Sequence, residues 1–284
     1  MRSLSARPLL ICALFLNIAL LATPEQDHSL RIMFWNVHNL FDTANDPRTR
    51  DDDFTPSGKE KWTDEKLRIK IKALASVIRE VNPDVGGFAE VENIEVLRML
   101  GTEAGYPYAY LIERGDQRGI DTGVLSKTSL QELQNKGPGR GLIHFKIKGV
   151  TIAFAHWKSK RGGKNQTEEK RLQAARYAVT MTDRLLLTGD FNEGPHEKAR
   201  EVLEEAGFRN LVTGPCSSFF SGKKGTSKSC IDGAYLRGEC ISGRAEIVHP
   251  HSLAQGSKPN PEISDHLPVV TILNFCEKES ESAR

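Results

Sequence analysis

Side chains that could bind a metal ion or transfer protons stand at the ends of six apolar segments. Each segment has the apolar, β-branched or aromatic character that favours a β-strand. The residues concerned are Asn36, Glu90, His156, Asp190 with Asn192, Asp232, and Asp265 with His266. Any one of them has a simple structural explanation, such as a helix cap or a polar turn. Burying so many ionisable groups without a common use would be costly, so we predict that they form one site.

The hexapeptide TGDFNE at 188–193 is the most informative of these segments. It follows the apolar run 185–187, and Gly189 lets the backbone turn at the end of that strand. Side chains two apart on an extended segment point the same way, so Asp190 and Asn192 would face one side and Phe191 the other. A carboxylate beside a neutral amide suits the binding of a metal-loaded phosphate. The alternative is an Asx-rich turn that only closes the strand.

The elements that must position these residues alternate between strands and helices, although several strands follow one another directly. We predict strands at 30–37, 85–89, 106–113, 120–126, 141–148, 150–156, 185–190, 231–236, 241–248 and 268–275, and helices at 63–81, 92–100, 167–182 and 196–206. Polar loops are predicted over 39–58, 158–166 and 214–229. This order favours an α/β fold with two mixed β-sheets packed face to face and helices outside.

The N-terminal segment 1–22 has the composition of a secretory signal peptide. Arg2 and Arg7 precede an almost wholly apolar run, 9–22, and polar residues follow it. An uncleaved membrane anchor is the alternative, but the run is short for a bilayer span. We therefore expect a secreted or periplasmic protein without stable membrane association, in which residues 23–284 form a single domain and a monomer.

Charge and cysteine content agree with this interpretation. Loss of Arg2 and Arg7 leaves 37 of the 39 basic side chains against 37 acidic ones, so any affinity for phosphate must be local. Four cysteines then remain, Cys216, Cys230, Cys240 and Cys276, and they allow three disulfide connectivities. We favour Cys216–Cys230 and Cys240–Cys276. Zinc binding is disfavoured because no C-x-x-C pair is present and no histidine stands at finger spacing.

Seven short motifs together resemble the endonuclease/exonuclease/phosphatase superfamily, the deoxyribonuclease I-like group of metal-dependent phosphoesterases. The motifs are FWNV at 34–37, FAEVEN at 88–93, RGID at 118–121, HWKS at 156–159, GDFN at 189–192, ID at 231–232 and SDHLP at 264–268. They occur in the order typical of the family and span residues 31 to about 275. The resemblance implies a four-layer α/β sandwich, with the site at the sheet edge where these strand ends converge.

The resemblance and the residue chemistry assign roles. Glu90 and Asp265 are hard oxygen donors suited to Mg²⁺, with Asn36 a neutral partner nearby, and Mn²⁺ or Ca²⁺ are alternatives. His266 paired with Asp232 resembles the dyad that orients or deprotonates the attacking water.

The remaining roles follow the same resemblance. Asp190 and Asn192 would orient the nucleophile and stabilise the transition state. His156 would contact phosphate or protonate the leaving group, with Asp121 as its carboxylate partner.

A basic loop follows His156 directly. Lys158, Lys160 and Arg161 in it are well placed to bind substrate phosphates, although a solvated charged loop is the simpler explanation. We find no stacking ladder of aromatic residues and no base-reading motif, so the expected partner is DNA bound without sequence specificity.

The expected function is a secreted, Mg²⁺-dependent phosphodiesterase that acts as a non-specific DNA endonuclease. The enzyme alternatives are a phosphomonoesterase and a lipid-headgroup phosphodiesterase of the sphingomyelinase kind, and the non-enzyme alternative is a catalytically silent binding module. His38 replaces an Asp, and His156 replaces a Tyr, that are typical of the abasic-site repair branch, so DNA repair is disfavoured. The aromatic-rich membrane hairpin usual in sphingomyelinase-like members is not evident in the sequence.

Overall fold

Two six-stranded β-sheets form the centre of the molecule. The computed structural model describes residues 29–222, 225–255 and 258–276. The predicted signal peptide at 1–22 therefore lies outside the described residues. Among the residues that are described, no helix combines the length and the apolar character needed to cross a bilayer.

The regular elements follow the predicted order with several additions. The strands are β1 (Ser29–Leu40), β2 (Val85–Val91), β3 (Tyr108–Leu111), β4 (Asp121–Ser126), β5 (Gln131–Lys136), β6 (Leu142–Ile147), β7 (Val150–His156), β8 (Leu185–Asp190), β9 (Arg209–Asn210), β10 (Ser218–Gly222), β11 (Gly225–Ser229), β12 (Asp232–Arg237), β13 (Ile241–Ile247), β14 (Ala254–Gln255), β15 (Lys258–Pro259) and β16 (Val269–Phe275). The helices are α1 (Asp64–Val81), α2 (Ile94–Ala104), α3 (Lys164–Val179) and α4 (Lys198–Glu205).

Both sheets are mixed, as the sequence predicted. The first has the order β13-β16-β1-β2-β4-β3 and the second the order β5-β6-β7-β8-β12-β9. The only parallel pairs among the described strands are β1 with β2 and β7 with β8, and each pair is joined through a helix, α1 or α3. Parallel neighbours end at the same sheet edge, so β1 and β2 present their C-terminal residues together, as do β7 and β8.

The main core lies between the two sheets, and helices cover both outer faces. Phe34 of β1 and Phe154 of β7 are fully buried, and their rings are 6.3 Å apart between the sheets. Leu67 and Leu74 of α1 belong to the same core, whereas Ala175 of α3 packs in a second cluster with alternate residues of β8. The chain is therefore a four-layer α/β sandwich, which confirms the predicted fold class.

Some helix ends lie where the sequence predicted them, and others do not. Thr63 caps α1, and its side chain accepts a hydrogen bond from the backbone N–H of Lys66 at 3.4 Å. Helix α2 continues past Gly101 and ends at Gly105, whose φ of 84° only glycine adopts readily. Gly101 lies inside the helix and packs closely on Leu125, where a Cβ would come within 2.9 Å. Helix α3 begins at Lys164, three residues before the predicted start.

The segment 214–229, predicted as a loop, is largely the antiparallel hairpin β10–β11. A disulfide between Cys216 and Cys230 closes the base of this hairpin, as predicted. The predicted second disulfide is wrong, because Cys240 and Cys276 are exposed thiols. They lie just beyond the paired ends of β13 and β16, where the Cys276 N–H donates to the Cys240 carbonyl at 3.2 Å.

Candidate active site

The predicted strand ends converge on one cavity of about 270 Å³. Nine of the twelve residues predicted for the site line it: Asn36, Glu90, His156, Lys160, Arg161, Asp190, Asn192, Asp265 and His266. The cavity lies where the C-terminal ends of β2, β7 and β8 meet the middle of β1. Strand β1 does not end at Asn36 as predicted but continues to Leu40 through an irregular segment.

Asn36 connects the two sheets at this edge. Its Nδ2 donates to Asp190 Oδ2 of the second sheet at 3.2 Å and lies 3.5 Å from Glu90 Oε1 of the first. Its own Oδ1 accepts from the His38 N–H at 3.0 Å. In this arrangement Asn36 holds two carboxylates in place with its amide nitrogen and turns its oxygen away from them.

The cavity wall is built from strained backbone. Four of the nine non-glycine residues with positive φ in the described part of the chain line it: His38 (53°), Asn39 (61°), Glu90 (66°) and Asn192 (51°). Such conformations persist where the surroundings impose them, and they concentrate at functional sites. One such constraint is Lys70 of α1, which is only 8 % exposed and donates to the His38 carbonyl at 2.5 Å.

His266 and Asp232 form a buried pair. His266 Nδ1 lies 2.8 Å from Asp232 Oδ2, and the Ser217 hydroxyl donates to the same carboxylate oxygen. Asp232 does not itself line the cavity, so it acts through the imidazole. The ring is fixed from its backbone as well, because the Trp35 indole N–H donates to the His266 carbonyl at 2.9 Å.

Burial and mutual proximity shift the proton affinities of these groups. Burial, together with the neighbouring Asp232 carboxylate, raises the pKa of Asp190 to about 7. Burial opposes the charged form of His266, but the carboxylates of Asp232, Asp190 and Asp265 outweigh it and raise its pKa to about 10. Without a metal ion, His266 is thus an imidazolium near neutral pH. Its Nε2 lies 4.0 Å from Asp190 Oδ2 and 3.8 Å from Asp265 Oδ1.

His156 differs from His266 in its charge. Its Nε2 lies 3.3 Å from Arg140 Nη1, and because the guanidinium can only donate, Nε2 is the acceptor and Nδ1 carries the proton. Burial and the charge of Arg140 lower the pKa of His156 well below its ordinary value. The same ring nitrogen lies 3.8 Å from Asp190 Oδ2. His156 is therefore neutral, and Arg140 supplies the positive charge beside it.

The predicted pairing of Asp121 with His156 is wrong. Asp121 accepts from the Arg114 N–H through both oxygens at 3.2 Å and lines a separate cavity of about 410 Å³. His156 Nδ1 is buried and has no hydrogen-bond partner in the part of the chain that the structure describes. The short motif RGID located Asp121 at the start of β4 but could not show which way its side chain points.

The donor set fits a hard divalent cation. Glu90, Asp190 and Asp265 all line the cavity, and the side chains of Glu90 and Asp265 are 13 % and 20 % exposed. Among the residues that the structure describes, Glu90 Oε2 accepts only from the Asn39 N–H, at 3.1 Å, which leaves carboxylate lone pairs for a ligand. A second close group consists of Asp190, Asp232 and His266, whose ligand atoms lie within 4.8 Å of one another. In this second group the ligand atoms of His266 and Asp232 are close because the two side chains are hydrogen-bonded to each other.

The predicted basic loop divides between two cavities. Arg161 and Lys160 line the active-site cavity, although Lys160 also donates to both oxygens of Glu197 at 2.6 and 2.7 Å. Lys158 lines a neighbouring cavity instead. Sequence reasoning missed Arg140, Lys70 and Ser217, because nothing in a loop arginine, a helical lysine or a lone serine distinguishes it before the fold is known.

A known protein family and several solved structures are similar to this chain. The sequence model described as the endonuclease/exonuclease/phosphatase family matches residues 31–214. No curated protein matches the chain in sequence.

Several solved structures share the fold. A family protein from Bacteroides thetaiotaomicron superposes with a TM-score of 0.61 and 16 % identity over 88 % of this chain and 98 % of that one. A mutant of Staphylococcus aureus beta toxin with bound magnesium ions gives 0.60 and 13 % over 88 % and 100 %. Truncated TDP2 from Caenorhabditis elegans gives 0.55 and 15 % over 87 % and 98 %.

Proposed function

The chain belongs to the endonuclease/exonuclease/phosphatase family and is a metal-dependent phosphoric ester hydrolase, and we propose that it is a Mg²⁺-dependent phosphodiesterase that cuts DNA without sequence specificity. The observation that carries this proposal is one cavity lined by three carboxylates, by Arg140 and by His266, with Asp232 bonded behind the imidazole. Hydrolysis of a phosphodiester needs these elements together: negative oxygens for a cation, a proton acceptor for water, and fixed positive charge for the phosphate.

The cation site is the first part of the proposed mechanism. When bound, the divalent cation supplies positive charge to the non-bridging phosphate oxygens, and Glu90 and Asp265 would hold it. Asn36 keeps Glu90 and Asp190 at their positions through its amide. Mg²⁺ is favoured because the donors are carboxylate oxygens and because the similar beta toxin structure contains magnesium ions.

Asp190 and His266 form the second part. A water molecule between Asp190 Oδ2 and His266 Nε2, which lie 4.0 Å apart, would accept the Nε2–H of the imidazolium and give up its own proton to the Asp190 carboxylate. Asn192 holds Asp190 in position, because the Asn192 N–H donates to Asp190 Oδ1 at 2.9 Å. The Asn192 Nδ2 donates to the Trp157 carbonyl at 3.0 Å, which leaves Oδ1 as the acceptor available to the attacking water.

Fixed charge for the phosphate forms the third part. His156 is neutral, so the guanidinium of Arg140 behind it and that of Arg161 on the cavity wall are the groups that would stabilise charge on the phosphate. The His156 Nε2 lone pair accepts from Arg140 and so helps to hold that guanidinium at the cavity wall.

Export is part of the proposal. The Cys216–Cys230 disulfide supports an oxidising compartment, since such bonds persist mainly outside the cytosol. N-terminal sequencing of protein from the periplasm or medium would test this. A chain that retains residue 1 in the cytosol would contradict it.

The decisive test of activity compares substrates with and without Mg²⁺. The protein is incubated with plasmid DNA, sphingomyelin and inositol phosphates, and products are measured for each. We expect DNA to be nicked only with Mg²⁺. Intact DNA together with a cleaved lipid or inositol phosphate would establish one of the other esterase functions instead.

A variant pair separates an enzyme from a silent binding module. Asn192→Ala and His266→Ala are each expected to abolish turnover. The thermal transition should change little in Asn192→Ala and should fall in His266→Ala, which leaves Asp232 buried without its partner. Full activity in both variants would show that the site is misplaced.

A further inference from the structure

A second cavity of about 670 Å³, here called the lateral cavity, adjoins the active-site cavity. The two share Arg118, Arg140 and His156 as lining residues, so they meet along one wall. Helix α3 forms another wall and contributes Lys170 and Gln173. A ligand that occupies the active-site cavity can therefore extend into the lateral cavity past Arg140.

The lateral cavity is strongly cationic. Its charged lining residues are Arg50, Asp116, Arg118, Arg140, Lys158 and Lys170. The single carboxylate is already engaged, because Asp116 accepts from Arg140 Nε at 3.1 Å and from the Arg118 N–H at 2.9 Å. Five cationic side chains thus surround one anion, in a chain whose overall charge is only +2.

Most of this positive charge is not neutralised locally. The Arg118 guanidinium donates to a neutral partner, Asn39 Oδ1, at 2.7 Å. Within the described ranges neither Arg50 nor Lys170 forms a side-chain ion pair. Burial lowers the pKa of Lys158, and the nearby charges of Arg140, Lys170 and Arg118 lower it further. These cationic side chains repel one another, and a bound anion would reduce that repulsion.

The loop that presents Arg140 is held in a fixed conformation. Gly139 and Gly141 have φ of 61° and 77°, and a Cβ at Gly141 would lie 2.1 Å from Asn135 Oδ1. Arg114 donates from Nη2 to the Gly137 carbonyl at 2.7 Å and closes the loop from the other side. The positive wall between the two cavities is therefore part of the folded structure.

We infer that the lateral cavity binds a second phosphate of the substrate, and hence that the substrate is a nucleic-acid strand with one phosphate at the scissile position and a neighbouring phosphate against Arg50 and Lys170. This inference rests on the proposed function and narrows it. A lipid headgroup that carries a choline cation would bring positive charge against five cationic side chains, whereas a polynucleotide brings its next phosphate.

The test uses the double variant Arg50→Gln/Lys170→Gln and the control double variant Lys72→Gln/Arg98→Gln. The control removes the same charge from exposed positions on α1 and α2, which cover the other sheet. Two substrates are compared in Mg²⁺: a 12-nucleotide single-stranded oligonucleotide, and bis(4-nitrophenyl) phosphate, which has a single phosphate. Binding of an uncleavable phosphorothioate oligonucleotide is measured in parallel by fluorescence anisotropy.

The lateral-cavity variant should lose about tenfold in kcat/KM for the oligonucleotide and keep its rate on bis(4-nitrophenyl) phosphate. Its oligonucleotide affinity should depend less on salt, with a slope reduced by about 0.7 for each lost phosphate contact. Equal oligonucleotide affinity and equal salt slope in the two double variants would overturn the inference. If the wild type hydrolyses neither substrate, the proposed function fails, and the anisotropy measurement still decides whether the lateral cavity binds the strand.

Discussion

His266 Nδ1 and Asp232 Oδ2 lie 2.8 Å apart in the interior of the protein, and the hydrogen bond between them determines which ring nitrogen faces the active-site cavity. Because Nδ1 is committed to the carboxylate, Nε2 is the atom presented to Asp190 and Asp265. A carboxylate behind an imidazole also stabilises the charged ring. Both consequences can be tested at Asp232, which does not line the cavity.

Asp232→Asn should lower kcat on bis(4-nitrophenyl) phosphate by about 10²–10⁴-fold with little change in KM, since the effect of a positioned acid–base group is of this order. Asparagine keeps the shape of the side chain but removes the charge that stabilises the imidazolium. Ser217→Ala is the matched control, because it removes one hydrogen bond to the same carboxylate and leaves the charge in place. Equal losses in both variants would show that packing, not charge, is the important property of Asp232.

Glu90→Gln should raise the Mg²⁺ concentration needed for half-maximal activity by at least about tenfold, because a neutral amide binds Mg²⁺ far more weakly than a carboxylate. The measurement is a Mg²⁺ titration of activity, with calorimetric binding as a second readout. Glu132→Gln is the control: Glu132 is an exposed residue of β5 that also has positive φ and pairs with Lys146 at 3.2 Å. An unchanged Mg²⁺ requirement in Glu90→Gln would place the cation elsewhere.

Local sequence signals predicted the fold class and most of the cavity lining, for physical reasons visible at particular residues. The run 185–187 is fully buried in β8, and Asp190 and Asn192 both reach the cavity beyond it. The alternation of strands and helices predicted β-sheets covered by layers of helices. The short motifs predicted which strand ends meet at the site. Helix α1 begins at the predicted cap, Thr63, because capping is a local interaction.

What the sequence could not give depends on contacts between distant segments. The polar strand β5 has no apolar pattern of its own and forms because it pairs with β6 at the edge of the sheet. No local pattern predicts the hairpin β10–β11 as β-structure. The Cys216–Cys230 disulfide stabilises it at its base. Arg140 reaches His156 only because the glycine-rich turn before β6 adopts one conformation.

Glu92 should make the stability of the fold depend on pH. Its side chain is 8 % exposed, and burial with the nearby Asp42 and Asp51 carboxylates raises its pKa to about 8 from an ordinary value of 4.5. A carboxyl whose pKa is higher in the folded state stabilises the fold fully below its unfolded pKa, and this contribution is lost as pH rises. Between pH 4.5 and about 8 the free energy of unfolding should therefore fall on account of this group.

Glu92→Gln should flatten that dependence and raise the free energy of unfolding at pH 8 by roughly 1–3 kcal/mol, because the wild-type carboxylate is then charged in a buried site beside Asp42 and Asp51. Urea unfolding at several pH values measures this. Glu95→Gln, an exposed position on α2, is the control and should keep the slope of the wild type. The prediction fails if Glu92→Gln and wild type show the same pH dependence.

The buried ion pair between Arg171 and Glu193 should be essential to the shape of the active site. Arg171 Nε lies 2.7 Å from Glu193 Oε1, and the two side chains are only 1 % and 2 % exposed. Arg171 Nη1 also donates to the Lys158 carbonyl at 2.9 Å, while Glu193 Oε2 accepts from the Ala199 N–H at 2.9 Å. The pair thus joins the segment after His156 to the segment after Asn192.

Glu193→Ala should lower the free energy of unfolding by about 3–5 kcal/mol, because it leaves the Arg171 guanidinium buried and without its counter-ion. Arg171→Met/Glu193→Leu should recover much of that loss, since a well-packed apolar pair has no charge to leave unpaired. Urea denaturation of the three proteins measures the effect. Activity should stay low in the double variant, because Arg171→Met also removes the bond to the Lys158 carbonyl that holds the strand end of His156. A Glu193→Ala protein as stable as wild type would mean that solvent reaches Arg171.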